Sequence, residues 1–188
     1  EFYRNAEQWE VLKNDIIPRL LENSRKMRIW SSACSTGDEP YTLVMVLNEF
    51  LPLNEIRILA TDIDEKAVEK AQKGVYSVRS LANLPHRYLE KYFTKDGDFY
   101  RVRDEVKNRV EFKKLNLLRD EYPSGCDLIV CRNVLIYFTE EAKLQIYKKF
   151  NQSLKRDGIL FVGSTEQIIS ARDFSLKPVR MFFYSKEQ

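Results

Sequence analysis

One stretch limits the fold of this chain more than any other. Met27–Ala33 has the composition of a strand and breaks into a turn of small polar residues at Cys34–Glu39. A helical segment, Tyr41–Leu51, comes next, and Ile56–Asp62 is a second apolar run that ends on an acid. Pro40 suits the first helical position. Strand, turn, helix and strand in that order form a βαβ unit, and parallel strands need such a crossover. The alternation continues with a short helix at Glu65–Lys73, a buried strand at Asp127–Cys131 and a helix at Glu140–Leu154 with Leu144, Tyr147, Phe150 and Leu154 facing inward. A turn at Asp157-Gly158, a strand at Ile159–Gly163 and a terminal strand at Val179–Ser185 close the chain. The reading is an α/β fold, Rossmann-like, with a mainly parallel sheet. Only Glu166–Lys177 separates the final two strands, so the last one is expected to run antiparallel.

Two regions lie outside this alternation. Residues 5–23 read as a helix, with Asn5 and Gln8 as a capping box and Trp9, Leu12, Ile16 and Leu20 on one face. Pro18 is expected to kink it or mark a restart. Pro85–Phe93 looks helical, and Asp98–Arg103 and Val110–Lys114 look like short strands on either side of the charged stretch Asp104–Arg109. They read as a small antiparallel subdomain inserted at about residues 95–114.

Composition removes several classes of function. The 188 residues suffice for one domain with a full core. A net charge of +3, from 31 basic and 28 acidic side chains, is too even to argue for a nucleic-acid partner. No apolar run has the length of a membrane span. The three cysteines, Cys34, Cys126 and Cys131, form no close pair, which speaks against a disulfide framework or a metal site and suits a reducing cytoplasm. The start, Glu1-Phe2-Tyr3-Arg4-Asn5, has neither an initiating methionine nor a signal peptide and reads as a cut edge. His86 is the only histidine, so no Ser-His-Asp or Cys-His set can be assembled.

In an open α/β sheet the chemistry sits beyond the carboxyl ends of the strands. The first such tip, Ser31–Tyr41, is built of small residues but lacks a dinucleotide fingerprint, and it carries acids where a pyrophosphate would lie. S-adenosylmethionine has no phosphate; it has an ammonium, a carboxylate and a sulfonium. Glu39 could accept a charge-assisted hydrogen bond from that ammonium, or could simply favour a helix N-terminus. At the second tip, Ala60–Asp64, Asp64 fits an N-cap and Asp62 a pair of ribose hydroxyls. The third, Cys131–Phe138, places Arg132 and Asn133 directly after a buried strand. It has no proline, which disfavours a nucleic-acid base as acceptor; Phe138 reads as a core aromatic, while the hydroxyl of Tyr137 needs a partner. Asn116 could meet an adenine edge or serve a turn. Without a histidine base, methyl transfer to a carboxylate fits, because glutamate is already ionised at neutral pH.

Together the Trp30–Tyr41 motif, the Ala60–Asp64 tip, Asn116-Leu117-Leu118 and Cys131–Phe138 resemble the chemotaxis receptor methyltransferase (CheR) family. Gly74-Val75-Tyr76 and Gly163-Ser164-Thr165-Glu166 add flanking matches, and the likeness runs from Phe2 to about Glu166. The resemblance implies the catalytic domain of an S-adenosylmethionine-dependent protein-glutamate O-methyltransferase. Its expected fold is the class I methyltransferase sheet, its expected product S-adenosylhomocysteine, and its expected partner the cytoplasmic domain of a methyl-accepting chemotaxis receptor. It further implies cofactor contacts at Arg4, Ala33, Glu39, Asp62, Ile63, Asn116, Leu117, Arg132 and Asn133. Arg4 and Tyr137 would lie near the transferred methyl and orient the acceptor carboxylate, a two-point contact suited to a guanidinium. Asp38 and Ala33 replace the commoner Glu and Gly of the first loop. The family's helical N-terminal domain is expected to be absent from this chain, and no metal and no membrane insertion are expected. In some members the β-subdomain binds a receptor's C-terminal peptide; the loop around Thr94–Asp98 looks short for that. A monomer is favoured. A small-molecule methyltransferase and a non-catalytic cofactor-binding signalling module are the competing readings.

Overall fold

The computed structural model describes residues 1–187. Its strands, in chain order, are β1 (Ile29–Ser31), β2 (Ile58–Asp62), β3 (Val75–Ser77), β4 (Phe93–Asp96), β5 (Phe99–Val102), β6 (Val110–Lys114), β7 (Cys126–Cys131), β8 (Leu154–Val162), β9 (Leu176–Arg180) and β10 (Phe183–Lys186). The α-helices are α1 (Ala6–Val11), α2 (Ile17–Asn23), α3 (Asp38–Leu47), α4 (Glu65–Lys73), α5 (His86–Tyr92), α6 (Asp104–Lys107) and α7 (Glu140–Ser153). Seven strands form the main sheet in the order β6-β2-β1-β7-β8-β10-β9. The five from β6 to β8 are parallel. β10 runs antiparallel to β8, as the sequence leads one to expect.

Burial explains the layering. All six residues of β7 are buried, as a central parallel strand requires. Along β7 and β8 the side chains alternate between two cores. Leu128, Val130, Ile159 and Phe161 join Trp9, Leu12 and Ile16 on one face, whereas Ile129, Cys131, Leu160 and Val162 join Phe150 on the other. From β1 the chain steps outward through β2 to β6, then returns to place β7 on the other side of β1. That reversal opens a crevice at the carboxyl ends of β1 and β7, the place where open α/β sheets bind ligands.

Several expectations change. Val110–Lys114 is not part of the small subdomain. It is the edge strand of the main sheet, parallel to β2 in the register Ile58↔Val110, because Val110 and Phe112 pack against the same core as Ile58. The separate antiparallel sheet has the order β3-β5-β4, with Gly97 at φ 63 in the turn between β4 and β5. The terminal strand is in fact a hairpin, β9 and β10, turning at Met181-Phe182 with Phe182 at φ 72. Pro178 is tolerated in β9 because that strand is an edge. Asp157, at φ 66, makes a bulge inside β8 rather than a chain reversal. α3 starts at Asp38, so Pro40 is its third residue, where the missing N–H would be unpaired in any case. Leu144 is exposed on α7, and Ile146 takes the inward place.

The first helix has a π turn, Leu12–Ile16, between α1 and α2. Pro18 sits at the start of α2, and the wider turn before it accommodates its missing donor. The capping box does not form. Asn5 adopts a left-handed φ of 59 and makes no side-chain cap; its Nδ2 donates to Ser164 Oγ at 3.3 Å. No helix among the described residues is long and apolar enough to cross a membrane.

Candidate active site

The loop after β1 is held by its neighbours. Cys34 N donates to Thr61 O at 2.8 Å, tying it to β2, and Tyr76 Oη donates to Thr36 O at 2.6 Å. Gly37 has φ +94, and a Cβ there would stand 2.8 Å from Tyr76 Oη and 2.9 Å from Ala71 Cβ, so only glycine fits. Burial pushes the Cys34 and Tyr76 groups well above their ordinary pKa values, which keeps both neutral.

Glu39, in the first turn of α3, accepts a hydrogen bond from Ser31 Oγ at 2.7 Å. Burial pushes its carboxyl up to about 7, against the opposing influence of the Arg132 charge and the Ser31 hydroxyl; Glu166 and Asp38 push it further up. A carboxylate raised this far gains a great deal from an incoming cation. Asp62, at the end of β2, accepts from Ser35 N at 2.8 Å and from Asp64 N at 3.0 Å, so it braces two adjacent loop tips. Asp64 caps α4, accepting from Lys66 N at 3.0 Å and Ala67 N at 3.3 Å, as its place before the helix leads one to expect.

Arg132, directly after β7, is only 6% exposed. Its guanidinium lies 5.1 Å from the Trp9 ring centroid and 4.8 Å from that of Phe161. Nη2 donates to Arg4 O at 2.9 Å and to Gln8 Oε1 at 3.0 Å, while Nε is buried without a partner among the described residues. Burial lowers its pKa, and the charges of Glu39 and Glu166 partly restore it. Asn133 has φ 61, a left-handed conformation that asparagine tolerates. Its backbone N–H donates to the Glu166 carboxylate.

Arg4, Glu39, Asp62, Arg132 and Asn133 therefore line one edge of the sheet. Leu115 N donates to Asp62 O at 3.0 Å and brings the Asn116-Leu117 tip beside them. Asn116 Oδ1 is engaged by Leu118 N at 2.9 Å, a turn contact. Leu117 is buried, Ala33 is half-buried and Ile63 is 57% exposed on the rim. The side chains of Arg4 and Tyr137 are exposed, Tyr137 at 81%, and neither makes a hydrogen bond among the described residues. Phe138 packs into the α7-side core, as expected. A separate cleft of about 940 Å³ opens near Arg25, Arg28, Arg57 and Arg109 and contains none of these residues.

Sequence reasoning overlooked two groups here. Gln8 was assigned to a cap but holds Arg132 from a buried place beside Trp9, and no local pattern in the sequence marks that contact. Glu166, noted only as part of a flanking match, is 4% exposed and grips the Arg132–Leu135 loop.

A parallel sheet reversing at β1/β7, with an antiparallel strand beside β8 and acids rather than phosphate donors at the first two tips, defines a class I S-adenosylmethionine-dependent methyltransferase. The solved S-adenosylmethionine-dependent methyltransferase SibL shares the fold, with a TM-score of 0.51 and 16% identity over 84% of this chain and 35% of that one. Residues 1–182 match the family described as CheR methyltransferase, SAM binding domain, and the chain belongs to that family. The chemotaxis protein methyltransferase of Listeria innocua is 44% identical over 98% of this chain and 71% of its own length. That of Escherichia coli K12 is 36% identical over 99% of this chain and 67% of its own.

Proposed function

We propose that the chain is a cytoplasmic protein-glutamate O-methyltransferase that acts, as a monomer, on the cytoplasmic domains of chemotaxis receptors. The observation that carries this reading is the openness of the acceptor side. Arg4 and Tyr137 stand exposed on the rim, which suits a carboxylate on a large protein surface rather than a small molecule enclosed in an apolar pocket. The names of the relatives point the same way.

The donor residues present fit S-adenosylmethionine. Glu39 would hold its ammonium and Asp62 its ribose hydroxyls, with Ala33 and Ile63 along the same tips and Asn116 and Leu117 beside the adenine. Arg132 and Asn133 would close the site from the β7 end. When bound, the cofactor supplies an electrophilic methyl on sulfonium. Arg4 would grip the acceptor carboxylate at two points, and Tyr137 would fix its angle. No general base is needed, because the nucleophile is already ionised, and alignment supplies the rate. The test is transfer of labelled methyl to receptor cytoplasmic domains. Alkali-labile label on glutamate is the expected result; label on an added metabolite would overturn the reading.

A further inference from the structure

The loop that follows β7 carries Arg132, Asn133 and Tyr137, yet it contains almost no regular structure of its own. A three-residue 3₁₀ turn, Leu135–Tyr137, is all it has. One distant side chain holds its first half in place. The Glu166 carboxylate reaches back from the loop after β8 and accepts four backbone N–H donors. Val134 N and Leu135 N bond to Oε2 at 2.9 and 2.6 Å, and Gly163 N bonds to Oε1 at 3.2 Å. Asn133 N also donates to Oε1. The space is tailored to this contact: a Cβ on Gly163 would stand 2.6 Å from Glu166 Oε1 and 2.9 Å from Asn133 Oδ1.

We infer that Glu166 is the positioning residue for methyl transfer: its carboxylate sets the conformation of the loop that presents Asn133 and Tyr137, and so fixes the acceptor geometry. The inference rests on the methyltransferase reading above. A carboxylate has acceptor sites enough for four donors, and no neutral side chain of this size does. Oxygens in both positions are needed, since Oε1 and Oε2 each receive two N–H groups. A glutamine must turn an NH₂ toward one of these pairs, leaving buried donors facing a donor. Of the residues proposed to hold the cofactor, Glu39 and Asp62 carry its charged and hydroxyl contacts and sit on loops that Glu166 does not bond, whereas Asn133 lies on the loop that it does.

The prediction is a split between affinity and turnover. In Glu166→Gln, kcat with receptor cytoplasmic domain should fall about 100-fold, the scale of a 1 Å misplacement. The dissociation constant for S-adenosylhomocysteine by calorimetry should change less than about fivefold, below the worth of one hydrogen bond to a charged group. Hydrogen exchange at the amides of Asn133, Val134 and Leu135 should quicken while that of β7 does not. Glu166→Asp, which keeps both oxygens on a shorter arm, should recover part of kcat. Should either variant fail to fold, exchange at the half-buried amides of Asn133 and Val134 in the unaltered protein tests the latch: slow exchange is expected, and free exchange would overturn the inference. Turnover within twofold of the parent would overturn the inference, as would equal losses of cofactor affinity and kcat. An unaltered protein that does not methylate receptor would instead refute the functional reading, and the amide exchange would still decide the role of Glu166.

Discussion

Glu39 is the residue whose chemistry changes most near neutral pH. Its folded-state pKa, about 7, lies above the ordinary carboxylate value because burial disfavours its charge. The fold therefore binds more protons than the unfolded chain between the two values, and this residue's contribution to stability declines as pH rises through that window. Cofactor binding has the opposite sign, because an ammonium favours the ionised acid. Affinity for S-adenosylmethionine should thus fall below pH 7, approaching about tenfold per pH unit, and Glu39→Gln should bind weakly with that dependence removed. Calorimetry from pH 5.5 to 8 measures both. Asp62 acts by geometry instead. Asp62→Ala should weaken cofactor binding by about 10- to 100-fold, the value of hydrogen bonds to a charged group. Unchanged affinity would show that the ribose lies elsewhere. Both acids could be found in the sequence because each ends a strand or opens a helix beside a small-residue turn. Gln8 and Glu166 could not, since their partners are backbone groups and a guanidinium far away in sequence.

At the scale of elements, what could be read depended on whether the signal was local. α4 has the same limits in sequence and structure, Glu65–Lys73, because its cap and its αL glycine, Gly74 at φ 67, lie next to it. Asp64→Ala should cost about 1 kcal/mol in chemical denaturation without loss of cofactor affinity. β6 was misassigned because five residues of alternating polarity read the same at the edge of a parallel sheet as in a hairpin. Only the packing of Val110 and Phe112 against the core of β2 decides between them. Asn5 and Gln8 carried a familiar local motif that tertiary contacts overrode, since a buried guanidinium draws the glutamine more strongly than a helix end.

For the whole molecule, the mainly parallel sheet was legible because strands and helices alternate after one βαβ unit, whereas the order of its strands came only with the structure. The terminal hairpin was hidden because Met181 and Phe182 resemble strand residues, although Phe182 turns the chain. The site draws on residues from position 4 to position 166, so cofactor binding is coupled to global folding. Saturation at 100 times the dissociation constant should add about 2.7 kcal/mol to unfolding stability, seen as a rise in melting temperature in thermal scans. Glu39→Gln should lose most of that rise.

One detail bears on how such an enzyme can be altered without being dismantled. Arg132 grasps the carbonyl of Arg4, not its side chain. The peptide bond at that position is therefore the mounting, and the guanidinium it displays is a detachable tool. Replacing the tool should leave the mounting in place, giving a protein that folds as before but no longer grips an acceptor carboxylate.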